Sequence, residues 1–244
     1  MLSTPQNSPP EAALRERLAA LRQRFSDAAR AAGRDVDSIT LLAVSKGQEI
    51  GQLRAALALG VREFGENYLD EALPKIQALR GGAQDQPGTG VVWHFIGRVQ
   101  ANKTRRIAEQ FDWVHGLDRL HIAERLSGQR PHHAPPLNVC VQVNIAGEAS
   151  KAGVSPDETL PLLREVAALP RLRLRGLMGM LPYELSVAGQ RRAFSALREL
   201  LGQAIGAGLP LDTLSMGMSG DFEAAIAEGA TIVRIGTALF GPRS

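Results

Sequence analysis

Eight short apolar or β-branched runs recur along the chain with helix-like stretches between them, and this alternation constrains the fold more than any other feature. The runs are ITLLAV (39–44), VREF (61–64), VVWHFIG (91–97), DWVHGL (112–117), LNVCVQVNI (137–145), LRLRGLMGM (172–180), TLSMGM (213–218) and TIVRIG (231–236). Near-continuous apolar strands in strict β/α alternation call for a parallel sheet covered by helices. Eight such units in ~210 residues fit a (β/α)8 TIM barrel, whose usual size is about 250 residues. An open doubly wound sheet is the alternative, but the Gly-rich G-x-G-x-x-G turn expected after its first strand is missing. The expectation is a single α/β barrel.

Helical patterning covers 48–59, 67–79, 102–110, 118–127, 155–168, 190–206 and 221–228. The segment at 155 opens with SPDE, where Ser155 and Glu158 can form a capping box and Pro156 suits the first turn. An additional amphipathic helix spans 11–32, with Leu14, Leu18, Leu21 and Phe25 on one face and Gly33 as its stop. Residues 1–10, MLSTPQNSPP, read as a disordered leader. The barrel domain is therefore expected over 11–244, with loops at 81–90 and 128–136.

The charge balance narrows the classes of partner. Twenty-eight basic and 25 acidic residues, for a net charge of +3, are spread without a block of one sign, so no nucleic acid partner is implied. The start lacks a secretory pattern and no run approaches the ~20 apolar residues of a membrane span. Cysteine is limited to Cys140, inside an apolar run, where it reads as a small buried hydrophobe. No disulfide can form within the chain, which favours a reducing compartment, and a cytoplasmic location is expected. His132 and His133 sit in a Pro-rich loop without Cys or acidic neighbours, so no metal site is expected. No long exposed apolar helix asks for a partner, and a monomer is the expectation.

In such barrels chemistry gathers at the carboxyl ends of the strands. There the chain places Lys46 after strand one, Glu66, Asn67 and Tyr68 at strand two, His94 in strand three, Asn144 after strand five, and Met178 and Met180 in strand six. Loops after strands seven and eight commonly hold phosphate in this fold. Ser219 and Gly220 precede a helix at Asp221, and Gly236 and Thr237 follow strand eight, which supplies free N–H groups and hydroxyls for an anion. The same glycines could be simple turn residues and Ser219 an N-cap. Asp221 would have to turn its carboxylate away from a phosphate.

Two cations carry similar pairs of readings. Arg234 interrupts a β-branched strand, and a guanidinium cannot be buried cheaply without acceptors. An ion pair with Glu66 would satisfy it, and so would a ligand. Lys46 could reach solvent, or it could be a reactive amine. If the barrel closes, strand one lies beside strand eight, and Lys46, Arg234 and the phosphate loop meet at one mouth. An amine desolvated near another cation loses proton affinity and becomes nucleophilic. An amine, a phosphate cradle and an Arg together suit an aldehyde phosphate, pyridoxal 5'-phosphate (PLP). In this reading Lys46 forms a Schiff base, Ser219, Gly236 and Thr237 hold the phosphate, and Arg234 faces the pyridine nitrogen. An arginine donates to that nitrogen without protonating it, so the ring is a weak electron sink.

The motifs LLAVSK, FGENY, WHFIG followed by Asn102 and Lys103, VNI with SKAG, RLRGLMGM and GMSGDFEAAIAEGATIVRIGTALFG stand together in order. In this the chain resembles the YggS/PROSC family of pyridoxal phosphate homeostasis proteins, over about residues 11 to 242. The resemblance implies a barrel like the N-terminal domain of alanine racemase. It also implies a PLP Schiff base on Lys46, with Asn67 and His94 near the cofactor, Ser215 and Met218 lining the same pocket, and the Arg234 and phosphate assignments above. Gly47, Gln48 and Glu49 stand where the family often has Thr-Lys-Pro, and Arg98 where it often has Pro; both departures touch the pocket rim.

The likeness to alanine racemase makes an amino-acid racemase the rival function. That enzyme draws a tyrosine base from a second domain, and here the eighth unit runs to Gly241, three residues before the sequence ends. Tyr68 and Tyr183 are the tyrosines present, and a two-base racemase needs acids placed on both faces of its substrate. The expected function is accordingly a non-catalytic carrier in PLP homeostasis that stores, masks and delivers the aldehyde, with apo PLP-dependent enzymes as possible acceptors. A cofactor-independent Schiff-base aldolase is a third reading; it leaves Arg234 unexplained.

Overall fold

The computed structural model describes residues 9–80, 90–145, 152–182 and 184–242. The expected leader up to residue 8, the loop at 81–89, Ser150 and Lys151 of the SKAG motif and Tyr183 lie outside the described residues.

Eight parallel strands close into a barrel in sequence order: β1 (Thr40–Val44), β2 (Glu63–Glu66), β3 (Val92–Phe95), β4 (Trp113–Leu117), β5 (Leu137–Val143), β6 (Leu172–Gly179), β7 (Thr213–Ser215) and β8 (Ile232–Ile235). All eight expected strands are present. Closure is made by β1 on β8, with Leu42 opposite Arg234 and Ala43 opposite Ile235. The helices are α1 (Pro9–Ala31), α2 (Ile50–Ala58), α3 (Leu69–Leu79), α4 (Thr104–Gln110), α5 (Leu120–Gln129), α6 (Pro156–Ala167), α7 (Val187–Gly206), α8 (Phe222–Ala227) and α9 (Thr237–Phe240).

The helix boundaries follow local chemistry. The α6 capping box forms as expected, with Ser155 Oγ accepting from Glu158 N–H and Glu158 Oε2 accepting from Ser155 N–H. Helix α7 begins three residues before the expected start because Ser186 caps it, accepting from Gly189 N–H at 3.3 Å. Helix α1 starts at Pro9 rather than residue 11, since proline is tolerated in a first turn whose N–H groups lack partners. The short α9 was not anticipated; four residues carry no readable period.

Strand alternation sorts the side chains into two populations. Ala43, Phe64, Trp93, Phe95, Val114, Val139, Val141, Leu177, Leu214, Val233 and Ile235 point outward and pack under the helices in one continuous apolar core. The barrel interior is different: a small apolar cluster of Leu42, Ile96 and Ile232, with Val44 and Trp113 against it, shares the space with buried His94, His115, Ser215 and Arg234. Every one of these polar groups must find its partner inside the barrel.

Helix α1 fills the gap in the outer ring between the last units and the first. Its Leu14, Leu18, Leu21 and Phe25 are buried, and Phe25 stacks on Phe222 at 4.9 Å between ring centroids. Arg17 donates to the α9 carbonyls of Leu239 (2.8 Å) and Phe240 (3.2 Å), and Arg34 reaches the carbonyls of Ile226 and Ala230. The added helix is thus laced to the segment that carries Gly236 and Thr237. An Arg17→Ala substitution removes two charge-assisted bonds and is expected to lower stability by about 2 kcal/mol, read as a reduced urea midpoint with an unchanged slope.

Candidate functional site

Lys46 leaves β1 at the carboxyl mouth, half-buried, and the residues on either side of it are fixed by α3. Ser45 Oγ donates to Glu66 Oε1 at 2.6 Å. Lys75, buried on α3, donates to Ser45 O (2.8 Å), Glu66 Oε1 (2.9 Å) and Glu71 Oε1 (2.5 Å). Glu71 Oε1 in turn accepts from Gly47 N–H at 2.5 Å. Gly47 itself has φ +72°, a left-handed conformation that costs other residues ~1–2 kcal/mol. The turn after the lysine therefore requires the glycine, and both flanking peptides are held by one buried ion cluster. Burial raises the Glu66 carboxyl above its usual range, and the Ser45 and Lys75 bonds oppose that.

Arg234, 4% exposed, lies within the barrel and is satisfied by neighbouring strands. Nη1 donates to Ser215 O (2.6 Å) and Ser215 Oγ (2.8 Å), and Nη2 to Gly179 O (2.8 Å). Burial lowers the guanidinium to about 10, with the Asp221 carboxylate opposing, so it stays charged at neutral pH. The simple ion pair with Glu66 is not formed. Glu66 follows Gly65 on β2 and points outward toward α3, whereas Arg234 points inward, so strand alternation keeps them on opposite faces.

The loops after β7 and β8 meet as expected. Ser219 Oγ accepts from Ala238 N–H at 3.3 Å and joins the two loops. Asp221 accepts from Met218 N–H at 2.5 Å, and it also lines the cavity between these loops and β1, so an acidic residue stands beside the expected anion loops. Its carboxyl is raised above the usual range by burial.

These loops and the end of β1 surround a cavity of about 190 Å³. Lys46, Asn67, Met218, Ser219, Arg234, Gly236 and Thr237 all line it, together with Ile96 and Met180. That volume lies below the ~300–1,000 Å³ usual for drug-sized ligands and suits one substituted ring. Asn67 Oδ1 is buried without a hydrogen-bond partner among the described residues, an acceptor at the cavity wall. Gly97 makes room for that wall, because a Cβ there would lie 2.1 Å from Asn67 O. Tyr68, at 64% exposure, points to solvent and does not line the cavity.

Two expected residues stand behind the cavity rather than on it. Ser215 lies under Arg234, and His94 is farther off, reached through a histidine that motif reading overlooked. His94 Nδ1 meets His115 Nε2 at 2.9 Å, His115 Nδ1 meets Ser215 Oγ at 2.7 Å, and His94 Nε2 meets Glu63 Oε2 at 2.5 Å. His115 is held well below the ordinary imidazole value by burial, then by His94 and Arg234. The signal for it was present: His115 alternates with apolar Val114 in DWVHGL and faces inward as His94 does. Lys75 was also overlooked, although Glu71 and Lys75 have helical i,i+4 spacing.

Two measurements test this arrangement. Replacing Lys75 with Ala leaves the Glu66 carboxylate buried and unpaired, for an expected loss of ~3–5 kcal/mol in urea denaturation. His115 takes up a proton near 6.5 when unfolded but only at lower pH when folded, so in between the unfolded chain binds more protons. Stability of the wild type relative to a His115→Gln variant should be full above pH 6.5 and decline as pH falls from there toward the folded value. The difference between the two proteins removes the opposite trend from Glu66 and Asp221, whose raised carboxyl values favour the folded state as pH falls.

The profile of the alanine racemase N-terminal domain matches residues 17–244. A curated Pseudomonas aeruginosa relative, named pyridoxal phosphate homeostasis protein, is 56% identical over 228 residues, covering 93% of this chain and 95% of the relative. The Escherichia coli K12 protein of the same name is 48% identical over 231 residues, with 93% and 95% coverage. Among solved structures, PipY of Synechococcus elongatus with PLP bound is 35% identical, with a TM-score of 0.79 over 93% of this chain and 100% of PipY. Alanine racemase of Clostridium difficile, at 14% identity and a TM-score of 0.70, shares the fold over 56% of its own length. The chain belongs to the YggS/PROSC family of pyridoxal phosphate homeostasis proteins, built on the barrel of the alanine racemase N-terminal domain.

Proposed function

We propose that the protein binds pyridoxal 5'-phosphate covalently on Lys46 and acts in cellular PLP homeostasis as a store and donor, not as a catalyst. The observation that carries this reading is the convergence on one cavity of Lys46, the Ser219 and Gly236–Thr237 loops and the Arg234 guanidinium. When bound, the cofactor supplies an electrophilic aldehyde on a ring that can withdraw electrons.

The residues divide the work by position. Lys46 would hold the group through its amine, the nucleophile that an aldehyde calls for. Gly47 and the Lys75 cluster keep the amine at the mouth by fixing the peptides on either side of it. Ser219, Gly236 and Thr237 hold the phosphate. The three bonds from Arg234 to Ser215 and Gly179 use three of its five N–H donors, which leaves donors for the ring nitrogen. Being charged at neutral pH, Arg234 contributes a hydrogen bond and no proton. Asn67 Oδ1, lacking a partner, suits the ring hydroxyl. Met218 packs on the same wall.

The racemase alternative needs an acid or base on each face of the substrate carbon. The orientation of Tyr68 toward solvent supports the carrier reading. Apo PLP-dependent enzymes are the natural acceptors, and the reducing cytoplasm the natural compartment for a protein whose single thiol is buried, its value pushed up to about 12 by desolvation.

The purified protein loaded with PLP is expected to show a visible absorption band that Lys46→Ala abolishes. Equilibrium dialysis should find PLP binding weakened but retained in that variant, since the phosphate cradle persists. Loaded protein incubated with L-alanine should leave the enantiomer unconverted. An unchanged band in Lys46→Ala would overturn the covalent assignment, and appreciable D-alanine the carrier role.

A further inference from the structure

Five side chains run through the barrel from the opposite end to the ligand cavity. Glu63 opens β2 and is about one-third exposed, lining a second cavity at the amino end of the barrel with Arg62, Asp37 and Thr40. From its carboxylate the contacts pass to His94, His115, Ser215 and Arg234 at 2.5, 2.9, 2.7 and 2.8 Å. His94 also stacks on Trp113, with centroids 5.4 Å apart, so its ring cannot turn freely.

The ends of this chain restrict where the protons between them can lie. Arginine has donors and no acceptor, and a carboxylate has acceptors and no donor. Ser215 Oγ accepts from Arg234 and can give its own hydrogen to His115 Nδ1. His115 then carries its proton on Nε2 and donates to His94 Nδ1. His94 likewise carries its proton on Nε2 and donates to Glu63. This arrangement makes all four bonds and uses the Ser215 hydrogen, with both imidazoles neutral; an imidazolium at His94 paired with Glu63 would also make the four but would leave that hydrogen outside the chain. In the reverse arrangement, with protons on both Nδ1 atoms, the bare Nε2 of His94 would face the Glu63 carboxylate, acceptor against acceptor, and that bond would be lost.

We propose that Glu63 is a positioning residue for the ligand site: through His94 and His115 it holds the Ser215 hydroxyl that accepts from Arg234, and hence the guanidinium's presentation to the ring nitrogen of the bound cofactor. This rests on the PLP reading above. The chain is a clamp and not a proton conduit, because passing a proton along it would require Arg234 to give one up, and that group remains charged at neutral pH. Hydrogen bonds in series also strengthen one another in a low-dielectric interior, so the charge at Glu63 firms the contact four bonds away.

Glu63→Gln is the informative change, since an amide of the same shape can donate as well as accept and no longer dictates direction. The first readout is histidine side-chain nitrogen NMR of the protein without ligand. His121, His132 and His133 are exposed, so the two buried imidazoles are distinguished by slow solvent exchange. In the wild type at neutral pH both should be neutral with the proton on Nε2, and in Glu63→Gln that single state should be lost. The second readout is the ratio of affinities for PLP and for its 1-deaza analogue, in which CH replaces the ring nitrogen. Amine and phosphate contributions cancel in this ratio, and the wild-type preference for PLP should shrink about three- to tenfold in Glu63→Gln. A wild-type imidazolium, a proton on Nδ1 of either ring, or a ratio that the substitution leaves unchanged would overturn the proposal. A wild type that binds neither ligand would instead sink the PLP reading, while the NMR state would still report whether Glu63 sets the chain. A urea midpoint for each variant identifies loss of fold.

Discussion

A guanidinium inside a barrel is an expensive object, and much of the interior is arranged around it. Burying an ion costs several kcal/mol unless its donors are met. Arg234 meets this requirement with backbone and side-chain oxygens from β6 and β7 while lying on β8, next to Leu42 of the closing strand. One side chain thereby joins three strands beside the seam where the sheet becomes a cylinder. The polar residues behind it follow from the same demand: Ser215 needs an acceptor once it has received the arginine, and two histidines and a carboxylate complete the series.

A second ion cluster performs the complementary task outside the barrel wall. Glu66, Glu71 and Lys75 lie between β2 and α3 and never enter the ligand cavity, yet they hold the peptides before and after Lys46. A reactive lysine on a mobile loop would sample many positions, each with its own entropy cost on bond formation. Here the backbone on both sides of Lys46 is tied down. The amine is delivered by a strand end and a glycine turn whose backbone is tied to a helix.

The strands were legible because their outward residues form apolar runs, and their inward residues could then be assigned by alternation. Glu66 and Arg234 lie on β2 and β8, the two strands that flank β1, but on opposite faces, and sequence order alone does not give the facing of a strand that carries charge on each side. Lys46, Ser219, Gly236 and Thr237 were readable as strand-end chemistry because the barrel fixes where such ends meet. His94 was placed near the ligand by resemblance; its ring stops two side chains short of Arg234, since His115 fills the intervening space. The Lys75 cluster escaped notice because an i,i+4 Glu–Lys pair on a helix ordinarily faces water. Only the packing of α3 on β2 makes this one buried.

The order in which the chain is made sets when the site can exist. Lys46 is near the beginning and Arg234, Gly236 and Thr237 near the end, so Lys46 emerges from the ribosome long before the residues that share its cavity. Helix α1 must also wait, since Arg17 and Phe25 dock on α9 and Phe222. The first and last segments can be joined only after every intervening unit is in place, a late, high-separation step of the kind that makes folding slow. A nascent chain therefore has Lys46 without the loops that surround it, and the cavity arrives only with closure.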